Sequence, residues 1–111
     1  MRIDFSTLTN NYSGDVDRAT ETLDMFTQWG MKHVDLIRLC LDSESWPELA
    51  MLTKRLKSSL EHIEAREIAK LAERLEASIP PAVMDSQLIF ASLQNETAAL
   101  MAEIQEILDS D

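Results

Sequence analysis

The chain is poor in the residues that build turns and crosslinks. Two glycines and three prolines in 111 residues supply too little turn chemistry for a many-stranded fold. A single cysteine cannot close an intramolecular disulfide, and the N-terminus MRIDFSTLTN has no apolar run of the signal-peptide kind; both point to a reduced, cytoplasmic setting. No hydrophobic stretch approaches the roughly 20 residues that a bilayer span requires. Positive charge is also scarce: ten lysines and arginines stand against twenty aspartates and glutamates, a formal charge of -10 and a pI near 4.5. Such a surface argues against nucleic acid or an anionic membrane as the main partner and favours a protein. There is no internal repeat, low-complexity tract, glycine-rich phosphate loop, paired-acid motif or metal box. At 12.6 kDa, residues 1–111 form one domain.

Helix formers fill most of what remains: Leu, Ala, Glu, Met and Lys. A short helix from Ile3 to Tyr12, with Ile3, Phe5 and Leu8 apolar, closes at Asn10, Asn11, Ser13 and Gly14 and forms a lid on one end. From Asp15 to about Leu41, Val16, Ala19, Leu23, Phe26, Val34, Ile37 and Leu41 recur at three- and four-residue steps, with a bend expected at Gly30. Asp42 to Ser45 form a loop, and Ser45-x-x-Glu48 reads as a capping box with Pro47 in the first turn of a third helix. That helix runs to about Glu61. Its Leu49, Leu52, Leu56, Leu60 and Ile63 fall in a core stripe about 80° wide, and Lys54, Lys57, Ser58 and Glu61 group on the exposed side. After a turn near Glu64, Ala65 to Glu76 form a fourth helix with Ile68, Leu71, Ala72 and Leu75 inward. The Ala77–Ala82 loop carries Pro80-Pro81, which cannot continue a helix. A last helix, Asp85 to Leu108, places Leu93, Thr97, Leu100, Ile104 and Ile107 on one face. The pattern predicts an all-α fold, an antiparallel four-helix bundle with a short N-terminal helix, monomeric.

Side chains with chemistry are sparse. His33 and His62 have no nucleophile and orienting acid at recognisable spacing and read as surface or boundary residues. His33 and Cys40 share a helix face as half of a metal site, but no CxxC or HxxxH accompanies them; Cys40, among Leu36, Ile37, Leu39 and Leu41, reads as a small core residue. The six methionines are scattered gap-fillers. Six of the ten basic residues lie together, namely Lys54, Arg55, Lys57, Arg66, Lys70 and Arg74, whereas residues 75–111 hold none.

The run Leu49-Ala50-Met51-Leu52-Thr53-Lys54-Arg55-Leu56-Lys57-Ser58-Ser59, followed by Ala65-Arg66-Glu67-Ile68-Ala69-Lys70-Leu71-Ala72-Glu73-Arg74-Leu75-Glu76, resembles the signature of histidine phosphotransfer (HPt) domains. Their pattern is L-A-x-L-A-H-x-L-K-G-S and then, after a turn, A-x-x-L-A-x-L-A-x-x-L-E. The Ile3-Asp4-Phe5 opening, Gly14-Asp15, Leu23 to Phe26 and Ser45-Trp46 extend the likeness over nearly the whole chain. It implies a four-helix bundle with a short N-terminal helix and a place in a two-component phosphorelay. Where the family has its phosphoacceptor histidine, the register puts Lys54. A neutral imidazole has a free lone pair at neutral pH; a lysine, with an ordinary pKa of about 10.4, is almost entirely ammonium and has none. Ser58 stands at a family glycine, and Lys57 at the lysine that offsets phosphoryl charge. Glu64 stands at the turn glycine, where it fits only if the turn avoids a left-handed backbone. His62, about 80° round the helix and roughly 12 Å along it from Lys54, is too far off to take the acceptor's place.

The resemblance implies a non-enzymatic module that binds a response-regulator receiver domain or a sensor histidine kinase without accepting phosphate. Lys54, Arg55, Lys57, Ser58 and Glu61 would form the partner-binding face, with no cofactor, metal, nucleic acid or membrane involved. The alternatives are a phosphotransfer intermediate that uses another residue, or an acidic helical adaptor or chaperone that shares only the bundle.

Overall fold

In the computed structural model, which describes residues 2–79 and 83–110, the helices run in the order α1 (Phe5–Asn11), α2 (Val16–Asp42), α3 (Trp46–His62), α4 (Arg66–Ala77) and α5 (Val83–Asp109). The boundaries match the sequence periodicity to within two residues. Side-chain meetings fix the directions. His33 of α2 reaches the Leu52 carbonyl of α3, Lys57 of α3 reaches Glu73 of α4, Ser78 after α4 meets Ser86 of α5, and Arg38 near the end of α2 lies over Phe90 near the start of α5. Each helix is therefore antiparallel to the next, and α5 returns beside α2 to close a four-helix bundle 43 Å long, about the length of a 27-residue helix at 1.5 Å per residue. The short α1 packs on α2 and buries Ile3 and Leu8.

The core is built from the expected stripes: Leu23, Phe26, Val34 and Ile37 of α2, Leu49, Leu56 and Leu60 of α3, Ile68, Ala72 and Leu75 of α4, and Leu93, Leu100 and Ile104 of α5 are all buried. Several positions differ from expectation, among them Leu71 of α4 and Ile107 of α5, which are only half-buried. Val16, in the first turn of α2, is 47% exposed. Leu52 is only half-buried. Its neighbour Thr53 is fully buried instead, its hydroxyl donating to the Leu49 carbonyl at 2.6 Å. This local bond satisfies a polar group that would otherwise be costly inside.

The helix ends also differ. Asp4 and Asp15 cap α1 and α2 by accepting the backbone N–H groups of Thr7 and Arg18. Ser45 makes no such bond; its hydroxyl pairs with Ser43 at 2.9 Å, so the capping box does not form. Pro47 does sit in the first turn of α3. Helix α2 continues unbroken through Gly30, which leaves room for a ring: a Cβ there would lie 3.0 Å from Phe26 Cε1. Glu64 adopts φ 64, the left-handed conformation that the sequence reading held it could not take. It is held there by a hydrogen bond from Asn11 of α1 at 2.8 Å and an ion pair with Arg66 at 2.7 Å. Of the expected connection to α5, Pro80 to Ala82 lie outside the described residues.

Candidate functional site

Helix α3 is flanked by α2 on one side and α4 on the other, and its exposed side chains divide between two grooves. Lys54, Arg55 and Ser58 line an open concavity of about 670 Å³ shared with Trp29, His33, Met51 and Ser59, between α3 and α2. Lys57 and Glu61 instead face a concavity of about 330 Å³ with Arg66, Ala69, Lys70 and Glu73, between α3 and α4. The five residues grouped from sequence thus share a helix but not a groove. The division follows from helix angle, since Lys57 is 60° to 160° away from Lys54 and Arg55.

Electrostatics separates the two grooves further. Lys57 is half-buried and 3.8 Å from Glu73, and Lys70 is paired with Glu67, so the α3–α4 groove is largely self-neutralised. Lys54 and Arg55 are exposed and have no acid within ion-pair distance among the described residues. On a chain with a formal charge of -10, these are two adjacent cations left free for a partner.

The wall opposite them comes from α2 and was not anticipated. Trp29 and His33, four residues apart and so on one helix face, have ring centroids 5.3 Å apart, and Trp29 also meets Phe26 edge-on at 5.4 Å. His33 Nε2 lies 3.0 Å from the Leu52 carbonyl oxygen. A carbonyl only accepts, so Nε2 carries the proton. Burial pushes the His33 pKa below the ordinary histidine value; the nearby Arg55 charge acts the same way and the Leu52 bond opposes it. The imidazole is therefore a neutral strut between α2 and α3. Cys40 is half-buried against the core, and among the described residues no three His, Cys, Asp or Glu side chains are grouped to hold a metal.

The same groove continues past Ser58 and Ser59 into a second concavity lined by Thr22, Met25, Phe26, Trp29, His62 and Ile63. Met25 and Met51, at 63% and 47% exposed, leave polarizable apolar surface along its rim. His62 lies at the far end, 3.1 Å from the Tyr12 hydroxyl.

A family model for the Hpt domain matches residues 21–110. The chain belongs to the Hpt domain family. The match spans most of α2 and all of α3, α4 and α5, the elements that form both grooves. Hpt domains are phosphotransfer carriers of two-component phosphorelays rather than enzymes in the usual sense, and they interact with response regulators and kinases. This Hpt domain is therefore a component of phosphorelay signalling. No curated protein and no solved structure matches the chain. Among the described residues no helix is long and apolar enough to cross a membrane.

Proposed function

We propose that this Hpt domain is a docking module of a phosphorelay, binding a receiver domain or a sensor kinase through the α2–α3 groove without itself accepting a phosphoryl group. The observation that carries the proposal is the pair of adjacent cations, Lys54 and Arg55, exposed on α3 without an acidic partner among the described residues, on a chain with a formal charge of -10. A receiver's phosphorylation pocket is a cluster of carboxylates around a divalent metal, and Lys54 stands where the family presents its acceptor side chain to that pocket. An ammonium has no lone pair with which to attack phosphorus, but it complements carboxylates. Ser58, in the same groove, widens the contact. Lys57 and Glu61 line the separate α3–α4 groove and take part only if the partner reaches across α3.

Exposed charge pairs are worth about 0.2–1 kcal/mol each, so the strength of docking must come from the apolar strip formed by Trp29, Met51 and Met25, with the cations selecting an acidic partner. The test uses receiver domains from the same cell, radiolabelled on the phosphoryl group. The expected result is a complex that Lys54→Glu weakens, with no label passing to the Hpt domain. Label that survives alkali and is lost in acid would overturn the absence of transfer; binding undiminished by Lys54→Glu would overturn the docking face. In the companion variant, Lys54→His, acquisition of label is expected.

A further inference from the structure

We infer that the α2–α3 groove holds a non-covalent binding site for a phosphoryl oxyanion, formed by Lys54, Arg55, Ser58 and Ser59. Ser58 lies one helical turn beyond both cations, four residues after Lys54 and three after Arg55, and Ser59 lies four after Arg55; residues at these spacings are neighbours on a helix surface. Two cations and two hydroxyls therefore converge on one side of a single concavity. All four groups are unspent. Neither cation has an acidic partner among the described residues, and neither serine hydroxyl is engaged with another described residue, whereas the Thr53 and Ser78 hydroxyls bond back to helix carbonyls.

The opposite wall gives the site its second side. Trp29 and His33 are packed on one another, and the His33 Nε2–H donates to the Leu52 carbonyl and is not free for a ligand. These rings give the open groove one apolar wall, so the charge-assisted hydrogen bonds to the bound anion come from the α3 side. A tetrahedral oxyanion uses such a set of donors better than a planar carboxylate does, because it directs acceptors towards several donors at once. On a chain with a formal charge of -10, two adjacent cations without an acidic partner among the described residues draw a phosphate towards this groove against the repulsion of the domain as a whole.

The site deepens the docking proposal in one respect only. If docking brings the phosphoryl group of a phosphorylated partner into this groove, the domain reads the phosphorylated state without taking the group. The anion site itself requires no partner, so the two are tested separately. In a Trp46→Phe background, Trp29 fluorescence and amide shifts at Ser58 and Ser59 are followed during titration with inorganic phosphate at constant ionic strength. Saturable binding is expected, with a millimolar dissociation constant that rises about tenfold in Lys54→Ala/Arg55→Ala and is unchanged in Lys32→Ala, a control on the exposed part of α2. Unsaturable shifts, or saturation that survives the double substitution, would overturn the inference.

A second arm identifies the source of the group. A receiver domain is titrated in its magnesium form and in its beryllofluoride form, which mimics the phosphoaspartate. Tighter binding of the second form, lost in the double variant, assigns the site to a phosphorylated partner; equal binding of both assigns it to free phosphate compounds. Failure of both receiver forms to bind, with phosphate still bound, removes the docking proposal and leaves the anion site standing.

Discussion

Glu44 and Glu64 occupy the same left-handed place at the ends of α2 and α3, with φ 58 and 64, and only one of them is compensated. In each case the following N–H reaches back to close the helix, Ser45 to the Cys40 carbonyl and Ala65 to the Leu60 carbonyl, an arrangement that favours glycine. Glu44 is exposed and holds the strained backbone for no gain; Glu44→Gly is expected to raise stability by about 0.5–1 kcal/mol, the relief of strain less the greater freedom of the unfolded glycine. Glu64 is 9% exposed and joins α1 to α4 through Asn11 and Arg66. Glu64→Ala keeps the strain, loses both contacts and is expected to cost about 1–3 kcal/mol. Denaturant midpoints of the two variants should therefore move in opposite directions. Thr97 offers a third measurement at this scale, because its Oγ1 is buried without a partner among the described residues. Thr97→Val keeps the shape and removes the unsatisfied hydroxyl, so a gain of about 1 kcal/mol is expected; a loss would mean that the hydroxyl is satisfied in solution.

Helix α3 shows how far a single element can be understood from its own sequence. Leu49, Leu56 and Leu60 are buried and Lys54 is exposed, as the 100° step per residue requires. Truncation of Leu56 to Ala should cost about 2–5 kcal/mol from lost transfer energy and a residual cavity, while Lys54→Ala should stay within about 0.5 kcal/mol; equal costs would contradict the face assignment. Periodicity within one helix does not say how many neighbours it has. With α2 and α4 on either side, the buried arc of α3 is wider than its leucine stripe, which is why Thr53 is inside and Lys57 is turned towards Glu73. The same limit hid Trp29 and His33. Their contact with α3 depends on how two helices are staggered, and the only signal in sequence was an aromatic and an imidazole four residues apart, with His33 read as a surface or boundary residue. The family signature on α3 and α4, by contrast, could be read directly, because local spacing alone carries it.

At the scale of the whole molecule, the groups with displaced pKa values divide the pH dependence of stability into three windows. The Arg66 guanidinium holds Glu64 below the usual carboxylate range against the effect of burial, with Asn11 assisting. Burial acts to raise Glu103, but the bonds that it accepts from the Arg2 backbone and side chain outweigh it and leave it lowered; Asp4 is lowered by its capping bonds to Thr7. For these acids the unfolded chain binds protons first, so their stabilisation is full above about pH 4.3 and is lost as the pH falls further. His33 is a base with a lowered pKa, and the sign is the same: the unfolded chain protonates first, and stability falls as the pH drops through about 6.5, well before any carboxylate titrates. Cys40 behaves oppositely. Burial, with Glu48 adding to it, raises its pKa, so the unfolded thiol ionises first and stability falls above about pH 8.5. A series of denaturant midpoints across these windows should therefore show a shoulder between neutrality and the carboxylate limb. His33→Gln, which keeps an N–H donor for the Leu52 carbonyl but does not titrate, should abolish that shoulder and leave the acid and alkaline limbs in place, while Cys40→Ala should flatten only the alkaline limb. A shoulder that persists in His33→Gln would show that the imidazole between α2 and α3 is not the neutral strut that the hydrogen bond to Leu52 makes it, and that another group couples protonation to the packing of the two helices that form the groove.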